Sequence, residues 1–551
     1  MTTSPERVAL PHKNIPTLTT EVLIIGGGVT GCGIMRDLSL RGIHCRLIDQ
    51  KDLCAGASGG NHGLLHSGAR YVLSDPQSAA ECRREGAILK RIAPQCIEET
   101  GGLFVAVPGD DQEFIDNFPG LCTGAGIDCQ PLAPREACEL EPHLSEEVCA
   151  AYLVPDATVD PFRLALEHVN HAGLLNGSVY HPHSGLVGFE ITGHRIRAAI
   201  CRDFWTGEEL RIAANQYVNA GGAWAMGIAR LAGCNDVNLL YSKGTLLVSY
   251  DRLTSLVINR LRPPADGDIL VPGGTVSVLG TTSIRIDSLD DVHPTVAEVN
   301  TNIEQGQAMI PSLATVRYIR AFSRVRPLVQ NADAADDRSV ARSFSLISHE
   351  NCSLANFCTI TGGKLTTFRL MAEKTADLVA ARLGNSVPCH TAAEPLPAGG
   401  ACRWTEPGAA PKYWRQAGSK DDMILCECEL VPQSAIDQIV TCAPGAEQEM
   451  TLEAIALRSR AGKGSCQGSF CGIRIASFLY DRGYYRDRTG LTHMRNFFRE
   501  RFKGLRSVIW GSQMAQVELA EALHCGLLGL DLIDDTQADG LPISEKGGED
   551  G

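Results

Sequence analysis

The sequence lacks any apolar stretch long enough to cross a bilayer: no window reaches the roughly 18 apolar residues that a spanning helix needs. Its first twenty residues, MTTSPERVALPHKNIPTLTT, lack the apolar core of a secretory signal, and residues 1–19 read as a loose extension. A cytoplasmic location is expected, with any membrane association made through a partner. Basic charge is also in deficit. The 551 residues carry 50 Lys and Arg against 64 Asp and Glu, a net charge of −14. That balance argues against a general nucleic-acid binder, which needs a basic face. It leaves room for a local basic pocket around an anionic small molecule. Cysteine, by contrast, is abundant, with 21 residues. In a reducing compartment disulfides explain such a number poorly, so most are expected to be small buried hydrophobes. The length allows several domains of roughly 100–200 residues each.

Residues 21–50 read EVLIIGGGVTGCGIMRDLSLRGIHCRLIDQ. An apolar run, Val22 to Ile25, is followed by Gly26-x-Gly28-x-x-Gly31 and a helix of small and apolar residues. A second strand, Cys45 to Ile48, ends at Asp49. Gly26 permits the tight turn, Gly28 lets the backbone approach a pyrophosphate, and Gly31 lets helix and strand pack closely. The helix N-terminus attracts the anion. Asp49 stands about 20 residues on, where an acid takes the ribose hydroxyls. A lone GxGxxG is weak; strand, glycines, helix, strand and acid in order predict dinucleotide binding.

Three further segments bear on which dinucleotide. CAGASGGNHGLLHSGARYV (54–72), which contains Ser58 and Asn61, is a small-residue loop that lets backbone pass close to a pyrophosphate and a flavin. YVNAGGAWA (217–225) reads as a strand ending in a glycine turn at Gly221, with Trp224 just beyond. FCTITGGKLTTFRLMAEKTADLVAARLG (357–384) reads as strand, turn at Gly362-Gly363, then Leu365, Thr366 and a helix. Any one of them could be merely a turn. Together they fit one large cofactor, FAD, touched at several points across a doubly wound α/β sheet.

The back of the chain differs in composition. Residues 391–420 are rich in Pro, Gly and Ala and read as a linker. Cys426-Glu-Cys428 follows, and after 37 intervening residues comes Cys466-x4-Cys471. At this cysteine frequency a single CxC is expected by chance, and neither pair alone means much. Helix-like stretches near 432–441 and 450–460, and an apolar helix from Gly472, make a small helical domain over 421–476. A domain of that size often needs a metal to hold it together. Four thiolates can hold zinc or a [2Fe–2S] cluster. Structural zinc usually uses C-x2–4-C spacing, which CxC does not match. Residues 477–532 read as a further helical region, a lid on the small domain or a docking surface, and 533–551 as an acidic disordered tail.

Several of these segments resemble one family. GGGVTGCGIMRDLSLRGIHCRLID, GASGGNHGLLHSGARYV, VPDATVDPFRLA (154–165), DILVPGGTVSVLGTTS (268–283), SRVRPLV (323–329) and TITGGKLTTFRLMAE (359–373) are similar to the FAD-dependent glycerol-3-phosphate dehydrogenases, most nearly to the A subunits of the anaerobic enzymes. The resemblance implies a doubly wound, Rossmann-like FAD-binding domain (parts near 20–75, 155–235 and 330–390) with an α+β substrate domain (parts near 76–154 and 236–329). It implies oxidation of sn-glycerol 3-phosphate to dihydroxyacetone phosphate by hydride transfer to FAD. The family's substrate site falls on Arg70, Tyr71, Arg326, Arg342 and Lys364, with His66 in the same loop as Arg70. Respiratory single-chain relatives carry a histidine after a KGS turn; SKGTLLV (242–248) has none. The cysteine domain resembles the bacterioferritin-associated ferredoxin-like domain, which implies a [2Fe–2S] cluster on Cys426, Cys428, Cys466 and Cys471. The implied partners are a B subunit, an iron–sulfur membrane-anchor C subunit, and menaquinone reached through them. They would place the chain on the inner face of the cell membrane.

The residues speak to the substrate as well. A phosphate pocket in an acidic protein must be locally basic. Residues 317–342 hold Arg317, Arg320, Arg324, Arg326, Arg338 and Arg342, and arginine suits phosphate through its planar fork. Arg317 and Arg320 are expected on a solvated surface helix. Arg326, between Val325 and Pro327, is the better inward candidate. Lys364, after two glycines, is placed to stabilise negative charge on reduced flavin or a developing alkoxide. His66 is a candidate to take the hydroxyl proton, or a histidine satisfied by its own loop. Two other readings remain: a flavin subunit that oxidises C–N bonds, which has no need of the arginines, and a non-catalytic redox sensor.

Overall fold

The strand Thr17–Ile25 is largely exposed at its start and fully buried from Val22 to Ile25, as expected where a strand enters a sheet covered on both faces. In the computed structural model, which describes residues 15–290, 292–329, 343–397, 418–442 and 450–530, this strand is the centre of the first sheet. It pairs in parallel with Cys45–Ile48 on one side and Glu209–Asn219 on the other. Val179–His181 lies beyond Cys45–Ile48, and Phe357–Gly362 runs parallel to the end of Glu209–Asn219. Phe344–Ile347, Ser184–Thr192 and Arg195–Asp203 add antiparallel pairings. The helix Val29–Leu40 packs against Pro161–Asn176 and Phe368–Leu383. The parallel strands all finish at one edge, at Ile25, Ile48, Asn219 and Gly362, which is where an open sheet of this kind binds ligands.

The second sheet is mostly antiparallel. Leu239–Ser249 pairs along its whole length with Tyr318–Val329, from Leu239 opposite Val329 to Ser249 opposite Tyr318. From it the sheet continues through Val276–Gly280, Ile269–Gly273, Val257–Arg260, Gly102–Ala106 and Ala150–Val154 to Gln130–Leu132. Leu103, Val105, Leu247, Ile258 and Leu270 form its buried face. Arg317 and Arg320 are therefore not on a surface helix. Arg317 lies just before the strand, over the Tyr250 ring. Arg320 is in the strand and pressed against the backbone at Gly504. The alternation of Ser323 and Val325 inward with Arg320, Arg324 and Arg326 on the other face is strand periodicity.

The C-terminal lobe carries the short pair Ile424–Cys426 and Val431–Pro432, then the helices Gln433–Cys442, Leu452–Ser459, Cys471–Asp481, Thr489–Leu505 and Ser512–Glu521. Its core is Leu425, Val431, Ile436, Ile455, Ile475, Leu479, Phe497 and Phe498. Three contacts lock it to the rest of the chain. Arg458 pairs with Asp52 at 2.6 Å. Arg460 pairs with Asp160 at 3.1 Å and Glu429 at 2.9 Å. Glu429 also accepts from the Thr275 hydroxyl at 3.1 Å. The described cysteines are free thiols, most of them buried. No helix among the described residues is long and apolar enough to cross a membrane. Most of the expected linker (398–417), the expected tail and Arg342 lie outside the described residues.

Candidate functional site: a glycine-lined cavity and a four-thiol cluster

The turn that leaves the first strand is built around Gly26, whose φ of +116° is open to glycine and to little else. A Cβ there would also stand 2.5 Å from the Ala220 carbonyl oxygen. A Cβ on Gly31 would run into the carbonyl oxygen of Gly26, so helix and turn touch backbone to backbone. Gly28 caps the helix and has no side chain to bond its first amides; Ser58 takes that of Val29, and the helix start beyond it favours an anion. Asp49 is held in place by two amides: Gly27 N–H donates to Oδ2 at 2.7 Å and Lys51 N–H to Oδ1 at 2.8 Å. Burial pushes its carboxyl pKa up, and those amides oppose the shift. Ser58 Oγ accepts from Val29 N–H at 3.1 Å and so ties the 54–61 loop to the helix start. Asn61 closes that loop, donating to Ser58 O at 2.7 Å and accepting from Gly63 N–H at 2.7 Å.

These segments enclose a cavity of about 600 Å³, within the range of small-molecule and cofactor sites. Gly26, Gly28, Asp49, Ser58, Asn61, Gly221, Trp224, Gly362, Gly363 and Leu365 all line it. Gly31 and Thr366 do not. Gly31 acts behind the wall, and Thr366 Oγ1 accepts from His66 N–H at 3.2 Å, fixing the loop that presents the histidine.

The lining also carries polar and charged side chains. His66, Tyr71, Arg326 and Lys364 line the same cavity. The Tyr71 hydroxyl lies 3.4 Å from His66 Nε2, with the rings edge to face. Lys364 Nζ donates to Ser78 Oγ at 2.6 Å and sits 4.9 Å from the centre of the Tyr71 ring. Arg326 Nη2 donates to Thr282 O at 2.6 Å. Arg70, expected with them, is elsewhere. Its guanidinium pairs with Asp268 at 3.1 Å, and it is not part of the cavity wall. Arg324, which sequence reasoning left out of the site, is part of it. Burial lowers its guanidinium pKa, and nearby Glu500 opposes the shift. Its signal was the two-residue period it shares with Arg326, legible only once the segment is known to be a strand.

In the lobe, two turns bring four thiols together. The thiols of Cys426 and Cys466 both contact that of Cys471, and Cys428 contacts Cys466. Backbone amides point at the sulfurs: Gly462 and Glu429 at Cys426, Gly468 and Phe470 at Cys466, and Cys466 at Cys428. Ser465 Oγ lies 3.4 Å from Cys428 Sγ. Leu430, Gln467 and Gly468 take left-handed backbone conformations in the two turns that carry the thiols. Amide donors aimed at sulfur are what metal-bound thiolates require, so the residues fit a four-thiolate metal group. Glu427 faces solvent and pairs with Arg474 at 2.7 Å.

A model of the FAD dependent oxidoreductase family matches residues 21–378. The chain is 38% identical over 546 residues to the A subunit of the anaerobic glycerol-3-phosphate dehydrogenase of Escherichia coli K12, covering 94% of this chain and 98% of that protein. It is 37% identical to the A1 subunit of the Haloferax volcanii enzyme, covering 93% and 91%. Among solved structures, glycerol-3-phosphate dehydrogenase from Bacillus halodurans complexed with FAD superposes with a TM-score of 0.63 at 18% identity, over 90% of this chain and 96% of that one. Glycine oxidase from Bacillus cereus gives 0.55 at 19%, over 67% and 99%. The last two show the shared fold.

Proposed function

The chain belongs to the FAD dependent oxidoreductases, and among them to the A subunits of the anaerobic glycerol-3-phosphate dehydrogenases, and we propose how its residues carry out oxidation of sn-glycerol 3-phosphate to dihydroxyacetone phosphate. Bound FAD supplies a two-electron hydride acceptor, and a [2Fe–2S] cluster a one-electron exit. The glycine turns at Gly26, Gly221 and Gly362 and the carboxylate of Asp49 would hold the dinucleotide along the strand ends. Arg326, with Arg324 beside it, binds the phosphate of the substrate. Lys364, which lines the same cavity, would stabilise the charge that develops on the substrate's oxygen. His66 takes the hydroxyl proton on its imidazole as hydride leaves, oriented by the Tyr71 hydroxyl. The observation that carries this reading is the convergence of Arg326, Lys364, Tyr71 and His66 on one glycine-lined cavity in an acidic chain.

Cys426, Cys428, Cys466 and Cys471 would hold the cluster. Its position supports an exit for electrons. Lys463, in the loop that carries Cys466, lies 3.7 Å over the Phe162 ring, and Phe162 packs on Gly59 in the cavity loop. An onward acceptor protein is supported by exposed apolar groups on the same lobe: Phe470 beside Cys471, and Trp510, Met514, Leu519 and Leu523. Relatives named as A or A1 subunits imply further subunits, and we assign the B and membrane-anchor C subunits to that face, with menaquinone reduced through them. Anaerobic addition of glycerol 3-phosphate will bleach the oxidised-flavin absorbance and give an electron paramagnetic resonance signal from the reduced cluster. Bound flavin that stays oxidised with glycerol 3-phosphate, but bleaches with an amino acid, would overturn the reading in favour of C–N oxidation.

A further inference from the structure

Away from the cavity and the lobe, a third group of polar side chains converges. Cys234 and Asp236 follow the helix Ala225–Leu231, and His349 and Cys352 form the turn before the strand Phe357–Gly362. One ligand atom from each of the four lies within 4.8 Å of every other. The thiols of Cys234 and Cys352 are in contact. His349 Nδ1 lies 2.7 Å from Asp236 Oδ1, and its Nε2 lies 2.7 Å from Thr359 Oγ1. Cys234 and His349 are almost fully buried, and the imidazole stacks on Phe357 at 4.7 Å. His349 and Ser353 both adopt left-handed backbone conformations. That strained turn folds His349 and Cys352 to the same side.

The geometry points to a structural zinc site formed by Cys234, Asp236, His349 and Cys352. Two thiolates, an imidazole and a carboxylate are a donor set that zinc accepts, and tetrahedral zinc holds such atoms about 3.3–3.8 Å apart. Little movement separates the observed cluster from that arrangement. Metal on Nδ1 places the ring proton on Nε2, where it is donated to Thr359 Oγ1 and fixes the ring's orientation. The occupied site carries one net negative charge. Arg382, which donates to Ser348 O and Phe357 O at 3.0 Å each, is the neighbouring cation. The site also has a consequence for the cavity. Thr359 Oγ1 accepts from Asn219, and Asn219 in turn accepts from Gly221 N–H at 3.1 Å. Zinc would therefore brace the 219–222 turn, whose Gly221 and Gly222 line the cavity that would hold FAD.

The test uses the full-length holoprotein. Elemental analysis after growth in zinc and exhaustive dialysis will give about one zinc per chain in the wild type. The double substitution Cys234→Ser/Cys352→Ser will remove that zinc, whereas Cys428→Ser will leave it. Wild-type protein gives a second readout that does not depend on a variant folding. Cys352, which is only partly buried, will resist alkylation until a chelator is added, as read by peptide mass spectrometry. Zinc content unchanged in the double variant, Cys352 alkylated equally with and without chelator, or a Cys234–Cys352 disulfide in the mapped peptides would each overturn the proposal.

Discussion

The flavin cavity and the four-thiol lobe, on the reading proposed above, meet the same demand, holding a reactive group, with different materials. Several glycine turns line the cavity. Its turns come from glycine motifs within a few residues of the strands that carry them, and Asp49 in its lining is anchored by two amides. The lobe site is made of side chains from two turns separated by a pair of helices. Its sulfurs come into contact only when Leu425, Ile455, Ile475 and Phe497 have packed. Backbone sites are sensitive to any added atom, because a main chain cannot step aside. Side-chain sites are sensitive to the loss of a donor, and the surrounding core survives it.

Gly31→Val probes the first half of that contrast and has the largest expected effect. The new side chain meets the Gly26 carbonyl oxygen and displaces the phosphate turn. Bound FAD should fall at least about tenfold, the change that only about 1.4 kcal/mol produces, while iron in the lobe is retained. Flavin absorbance and iron content on one sample check both; full flavin occupancy would break the comparison.

Cys428→Ser is the reciprocal probe. Iron and the reduced-cluster resonance should be lost, while flavin content and its bleaching by glycerol 3-phosphate persist. Retained iron with an unchanged signal would remove the Cys426–Cys428 pair from the ligand set. The smallest of the three effects belongs to Arg326→Ala, which leaves both groups bound. A charged hydrogen bond to phosphate contributes about 1.5–3 kcal/mol, so KM for glycerol 3-phosphate should rise roughly 10- to 100-fold. Steady-state kinetics with an artificial acceptor measure it, and an unaffected KM would count against the phosphate role.

Much of the flavin end was legible because it is local. The order of strand, glycines, helix and acid from Val22 to Asp49 carries its own geometry, and Ser58, Asn61, Gly221, Trp224 and Gly362 to Leu365 line the same cavity. The substrate end was less legible. Arg70 follows His66 in sequence, but the buried carboxylate of Asp268, nearly two hundred residues away, takes its guanidinium. Nothing near Arg70 announces that partner. A solvated helix is expected for Arg317 and Arg320 because a dense run of arginines suits a helix as well as a strand; pairing of Tyr318–Val329 with Leu239–Ser249 decides for the strand.

Local sequence was enough to establish that a dinucleotide binds at the front of this chain and that two cysteine pairs stand behind it, since glycine turns and short cysteine spacings act over a few residues. Which charges line the cavity was settled by the folded arrangement alone, and so was the meeting of Cys234-x-Asp236 with His349-x-x-Cys352. Those outcomes depend on strand register and on partners more than a hundred residues apart, where local spacing carries no information.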